Sequence, residues 1–194
     1  MYFFYLFFLF FIFFFLFIIL LFPVPYTYRE IVPGLASVNY GVNLTAITPT
    51  TEIKTTPEKI WDFFINLEKN YRSWHPEDHV VFKWTKGKPM ELGSHFYAEE
   101  IMGGKVVRIK GFACEVVPNR KIFFKYSFPF SILAPGNGSL IETNGSSSVF
   151  TAISYIRAGN LLSKLSKKEM AKSIDIHKKH VREEGENLKA ILEE

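Results

Sequence analysis

Between residues 80 and 156 the chain changes hydrophobic period, and this change bounds what it can fold into. The runs VVFKWTKG, GSHFYAEEIM, GKVVRIKGFACEVVPN, RKIFFKYSFPF, GSLIETNG and SSSVFTAISYIR are separated by Gly, Pro and Asn. They read as strands with turns between them. The last two meet at Asn144-Gly145, a strong hairpin signal. On either side the period is helical. TTPEKIWDFFINL opens with Thr56 as N-cap and Pro57 at the first helical position, then sets Ile60, Phe63, Phe64 and Leu67 on one face. NYRSWHPEDH reads as a second short helix or a loop, and a further strand is expected over 43–55. Residues 159–194 hold only Gly159 and Gly185 as breakers and read as one long helix. Antiparallel strands in a run followed by a helix give an α+β fold, a curved sheet whose concave face that helix must cover.

The first 22 residues carry no charge and consist almost entirely of Phe, Leu and Ile. They inflate the 48% hydrophobic and 17% aromatic content, so the remaining ~170 residues are judged separately and suit one domain. At about 1.5 Å per residue such a helix reaches about 33 Å, against about 30 Å for the hydrocarbon core of a bilayer. No basic flank, shorter apolar core or A-x-A-like cleavage site marks a secretory signal. The prediction is an apolar membrane anchor at 1–22, its side of the membrane open because Arg29 is followed at once by Glu30. The other reading is a start assigned too far upstream, which would leave a soluble cytoplasmic protein. Residues 23–42, with three prolines and two glycines, follow as a linker, and 43–194 form the domain. The net charge of +4 is spread among interspersed Lys, Arg and Glu. The absence of a basic stripe argues against nucleic acid as a partner. Cys114 is the single cysteine, which excludes a disulfide framework and Cys-rich zinc sites.

The element order, with TTPEKIWDFFINLEKNYRSWHP, resembles the START-like (SRPBCC) superfamily, the polyketide cyclase/dehydrase and lipid-transport group. The matching phrase is Thr56-Pro57, Glu58, Ile60-Trp61 and the downstream Trp74. The resemblance covers about residues 45–192. It implies a helix-grip fold, with the sheet wrapped around the C-terminal helix and a pocket between them.

The long helix carries ionisable residues where a core stripe should be. At about 100° per residue from Met170, Ile174, Val181, Leu188 and Leu192 fall within about 40° of it. His177, at about 340°, and Glu184, at about 320°, lie inside this stripe; His180, at about 280°, is on its flank, and Glu183, at about 220°, points away. His180 and Glu184 are spaced i, i+4 and so are neighbours. A carboxylate taken out of water costs several kcal/mol unless paired or metal-bound, so Glu184 needs a partner. In SHFYAEEIM the more apolar parity is Phe96, Ala98, Glu100 and Met102, which turns Glu100 inward too. WHPEDH adds His75 and His79. A His–Glu pair one turn apart is also common on solvated helices; the inward phase of Glu184 and parity of Glu100 favour a site. Two histidines and two carboxylates facing one cavity suit a divalent metal, zinc first.

Within the superfamily the pattern resembles a branch of diacetylphloroglucinol hydrolases, which hold zinc with two His and two Glu and cleave a carbon–carbon bond between an acyl group and a phenolic ring. That resemblance implies His180 and Glu184 as the helical ligand pair, with His79 and Glu100 completing the set. His75 and His177 are expected behind these four. Trp61, Trp74, Phe96, Met102, Phe124 and Tyr126 are the candidate pocket walls. No catalytic group is named by the sequence, which lacks phosphate loops, G-x-S-x-G and HExxH. The expected function is a metal-dependent hydrolase of an aromatic or polyketide-like ketone. The alternative is non-catalytic binding or transport of a lipid or other hydrophobic small molecule.

Overall fold

In the computed structural model, which describes residues 44–157 and 167–194, the strand expected over 43–55 is interrupted. It forms β1 (Leu44–Ile47) and β2 (Thr50–Ile53), both paired with β8 (Ser147–Arg157) in one continuous antiparallel register. Thr48 and Pro49 make the break, although the Pro49 carbonyl still accepts from Ala152 N at 3.1 Å. Proline has no N–H to give a ladder, which is why the strand parts there. The anchor at 1–22, the linker at 23–42 and the helical expectation for 159–166 fall outside the described residues. Among the described residues no helix is long and apolar enough to cross a membrane.

Helix α1 (Pro57–Ile65) starts at Pro57, as predicted, and buries Ile60, Trp61, Phe63 and Phe64. Asn66 separates it from α2 (Leu67–Trp74), which buries Leu67, Tyr71 and Trp74. The predicted run of strands follows: β3 (His79–Lys86), β4 (His95–Met102), β5 (Lys105–Val117), β6 (Lys121–Tyr126), β7 (Gly136–Asn144) and then β8. The β7–β8 hairpin lies where Asn-Gly placed it, with one change. Asn144 and Ser147 are paired, so the two-residue loop is Gly145-Ser146, entered at φ 60° by the residue able to adopt it without strain.

The sheet runs β1-β8-β7-β6-β5-β4-β3, with β2 also on β8, and every pairing is antiparallel. Register shifts near Val80, Thr85 and Cys114 mark bulges, which bend a strand and increase its twist. Helix α3 (Lys167–Glu193) packs on β2, β8 and α2. Its stripe is as expected at Val181 and Leu188, 3% and 0% exposed, while Ile174 and Leu192 are half-buried; the side chain of Met170 lies outside the description. A curved antiparallel sheet gripping a long C-terminal helix is the predicted α+β helix-grip fold.

Candidate metal centre

The site begins where α2 ends. Asp78 N and His79 N both donate to the His75 carbonyl, at 3.1 and 2.8 Å, closing a turn that delivers His79 to the first position of β3. There His79 stands opposite Glu100 in the β3–β4 register, so the two share a face of the sheet. Phe96 and Ala98 are buried along β4, in keeping with the predicted parity. From α3, His180 and Glu184 approach the same point. His79 Nε2 lies 3.4 Å from Glu184 Oε1, and His180 Nε2 lies 3.8 Å from it. One donor atom from each of the three falls within 4.8 Å of the others. Tetrahedral zinc with N/O ligands at about 2.0–2.1 Å separates its donors by about 3.3 Å. The two spacings to Glu184 lie within about 0.5 Å of that value.

The hydrogen bonds behind the two histidines set their tautomers. His79 Nδ1 lies 3.0 Å from the Tyr71 carbonyl, which only accepts, so Nδ1 carries a proton and the neutral ring presents the Nε2 lone pair. His180 Nδ1 lies 2.9 Å from Asp78 Oδ2, and the same reasoning leaves Nε2 of neutral His180 bare. His79 Nε2 is fully buried without a hydrogen-bond partner. Two lone pairs and a carboxylate facing one another are favourable only around positive charge. The residues therefore fit a divalent cation.

A proton competes for that position. Burial pushes His180 down, but Glu184, Glu100 and Asp78 outweigh it and hold its pKa above the ordinary value. Burial pushes Glu184 up, but His79, His180 and His177 outweigh it and hold its carboxyl below the usual range. Binding a cation must displace the His180 proton.

Glu100 stands beside the group of three rather than within it. Its Oε1 accepts the Tyr71 hydroxyl, and the Tyr71 ring lies flat on His79, with centroids 4.0 Å apart and planes at 3°. Burial, then the Glu100 charge, pushes the Tyr71 phenol well up, so it stays a donor. Burial, Glu100 and Glu184 do the same for Tyr126. His177 Nε2 lies 2.7 Å from Ser154 Oγ; burial, helped by the His180 charge, holds its pKa down and keeps it neutral. His75, 5% exposed, stacks on His180 at 4.7 Å. Glu183, predicted to point away, corrects the helix phase: its Oε2 lies 3.5 Å from His75 Nε2. The 75–78 turn packs on that flank of α3 and widens its covered face beyond the apolar stripe.

A cavity of about 60 Å³ reaches Glu184, one of the group of three. Its walls include Trp74, Phe96, Phe124 and Tyr126, with Glu100 and Glu184 as the charged groups. Met102 joins the wall next to it, with Ser154, His177 and His180. Trp61 is buried in the core and is not among these lining residues. Wider spaces lie outward. One of about 140 Å³ is bordered by Asp78, Gly103, Ile176 and His180, and one of about 180 Å³ by Phe130, Leu133, Ile174 and His177. Sequence reasoning missed Asp78, Tyr71 and Ser154. Asp78 had a signal, an acid next to a ligand in HPEDH; the other two act through contacts that no spacing reveals.

No family model matches the sequence, and no curated protein matches it. Solved structures do. Ginseng major latex-like protein 151 from Panax ginseng superposes with a TM-score of 0.52 at 14% identity, over 71% of this chain and 97% of its own. KanY protein gives 0.58 at 14%, over 77% and 98%. The di-domain ARO/CYC StfQ of the steffimycin biosynthetic pathway gives 0.60 at 12%, over 77% of this chain and 51% of its own. At such identities a likeness carries the fold alone, and the fold it carries is the START-like helix grip.

Proposed function

We propose that the protein is a metal-dependent hydrolase that cleaves a carbon–carbon bond beside the carbonyl of an aromatic or polyketide-like ketone. The observation that supports this reading is the convergence of His79 Nε2, His180 Nε2 and Glu184 Oε1 beside an aromatic-walled cavity. These three would hold the ion, zinc first, with Glu100 at hand on the wall. A bound ion would supply Lewis acidity toward a carbonyl and a water of lowered pKa. The protein's own groups do the rest. Asp78 and the Tyr71 carbonyl hold the two imidazoles in the ligating tautomer. The Tyr71 hydroxyl orients Glu100. His177, kept neutral by burial and bonded to Ser154, lines the adjoining wall without adding a charge. Phe96, Phe124 and Tyr126 exclude water and offer faces to a ring. The inner space of about 60 Å³ admits a few waters at about 10–15 Å³ each. A substrate ring therefore enters from the wider outer spaces and displaces wall side chains.

A second reading has its own support. The outer space bordered by Phe130, Leu133 and Ile174 is strongly apolar, which suits a pocket that carries a lipid or other hydrophobic molecule without chemistry. The likeness to a protein of a biosynthetic pathway is compatible with either. On both readings residues 1–22 tether the protein to a membrane.

Metal analysis of the full-length chain, purified in detergent, stripped with chelator and reloaded with Zn²⁺, separates the readings. The hydrolase reading expects tight binding that Glu184→Gln and His180→Ala abolish, together with turnover of an acylated phenol. Unchanged folding with no Zn²⁺ uptake overturns it. A co-purified apolar ligand in native mass spectrometry, with neither metal nor turnover, establishes the second.

A further inference from the structure

The inner group of three leaves one buried histidine unexplained. His75 is 5% exposed, and neither Nδ1 nor Nε2 has a hydrogen-bond partner. Leaving a buried polar group unsatisfied costs about 1–3 kcal/mol, and each such group needs a reason, an unseen water or ion among them. Its Nε2 is aimed at carboxylates from two elements. Glu183 Oε2 on α3 lies 3.5 Å away, and Asp78 Oδ2 in the turn lies 3.9 Å away. His75, Asp78 and His180 form a second group whose donor atoms lie within 4.8 Å of one another. The distances from His75 exceed the ~2.7–3.2 Å of a good hydrogen bond. They approach the ~3.3 Å between donors that share a tetrahedral ion.

We propose that His75 and Asp78, which are grouped with His180, recruit Glu183 from α3 as a further donor and form a second divalent-cation site beside the inner His79–His180–Glu184 group. One imidazole and two carboxylates are the donor set of a borderline-to-hard cation such as Zn²⁺ or Mn²⁺. Asp78 and Glu183, with side chains 28% and 33% exposed, leave an entry path and room for water ligands. His180 stays a donor through Nδ1–H to Asp78 Oδ2, so the second ion uses the remaining lone pairs of that carboxylate. Lys179 Nζ lies 3.3 Å from Glu183 Oε1, with its side chain 75% exposed, and competes from solvent for the other carboxylate oxygen. This outer site is therefore the weaker of the two. It lies beside the outer space bordered by Asp78 and His180, where it would meet an anionic group on an entering ligand. The proposal does not depend on the inner site being catalytic.

The test is Zn²⁺ stoichiometry and competition titration on the chelator-stripped full-length chain, repeated with Mn²⁺. The wild type should bind about two ions of unequal affinity. His75→Ala and Glu183→Gln should each remove the weaker ion and leave the tighter one, while Glu184→Gln removes the tighter one. Glu183→Gln changes a solvent-reaching side chain and keeps the chain folded, so a folding failure of His75→Ala does not decide the matter. Lys179→Ala should tighten the weaker site. Wild type binding one ion that Glu184→Gln abolishes, or two ions retained in Glu183→Gln, overturns the outer site and leaves the inner one standing. Ions lost in Glu183→Gln but unaffected by Glu184→Gln support the outer site and overturn the inner one.

Discussion

Gly185 sits inside α3, where a glycine is worth about 1 kcal/mol less than alanine, and a substitution there tests how the helix is seated. An ideal Cβ at 185 would fall inside 3.0 Å of Thr51 Oγ1 and 3.4 Å from Thr51 Cβ. Thr51 belongs to β2, whose next inward residue, Ile53, is fully buried. Turning χ1 of Thr51 either exchanges Oγ1 for the methyl or forces a less favoured rotamer of a β-branched side chain, so part of the strain passes to the helix. Such overpacking costs about 1–3 kcal/mol; against the propensity gain, Gly185→Ala should lower stability by up to about 2 kcal/mol. Thr51→Ala removes the clashing atoms. In that background Gly185→Ala should instead stabilise, by up to about 1 kcal/mol, so the coupling across the cycle is about 1–3 kcal/mol. Urea unfolding of the four proteins, followed by circular dichroism, reads it. The same shift would disturb Glu184, whose carbonyl accepts from Trp74 Nε1 at 2.8 Å, so the single variant should also bind Zn²⁺ more weakly. The same effect of Gly185→Ala in both backgrounds refutes the close-approach argument.

Two further outcomes follow from the charges and the N-terminus. Glu184 is pushed up by burial but held below its ordinary 4.5 by His79 and His180. Its support of the metal-free fold is present above about pH 4.5 and lost as pH falls through the lower folded value. Thermal unfolding against pH should therefore show an acid limb that flattens in Glu184→Gln; an unchanged limb would assign the acid sensitivity elsewhere. The 22-residue uncharged run should carry the full-length chain into the membrane fraction and hold it there through carbonate extraction. Recovery of the full-length chain in the supernatant would exclude a spanning anchor.

The fold was legible because period and punctuation agree along most of the chain. Strand alternation from 80 to 156, Pro57 at a helix start and Asn144-Gly145 at a hairpin are local signals that tertiary packing reinforced. Pro49 also carried its warning, but a two-residue break within one register is invisible without β8 beside it. The inward parity of Glu100 and the His180–Glu184 spacing followed from periods of two and 3.6. Glu183 did not follow, because an apolar stripe locates the face covered by apolar neighbours, whereas this flank is covered by the polar 75–78 turn. Asp78 and Tyr71 act through pairings that span 102 and 29 residues, which only the folded chain brings within reach.

The charge count of the pocket weighs on the choice between chemistry and carriage. A carrier of apolar cargo gains nothing from carboxylates in its wall, because each costs several kcal/mol to desolvate. Here Glu100 and Glu184 both face the cavity, and Glu183 and Asp78 stand just outside it around His75. The cations they meet from the described residues are histidines and the distant-reaching Lys179. His79 and His180 are each locked by an acceptor on Nδ1, which turns the other nitrogen toward Glu184. A simple ion-pair cluster would be better built with Arg or Lys, whose charge persists at neutral pH. Histidine gives up its proton near neutrality and then binds metal. Carboxylates facing imidazoles are a poor lining for a lipid, and their donor set suits a divalent cation.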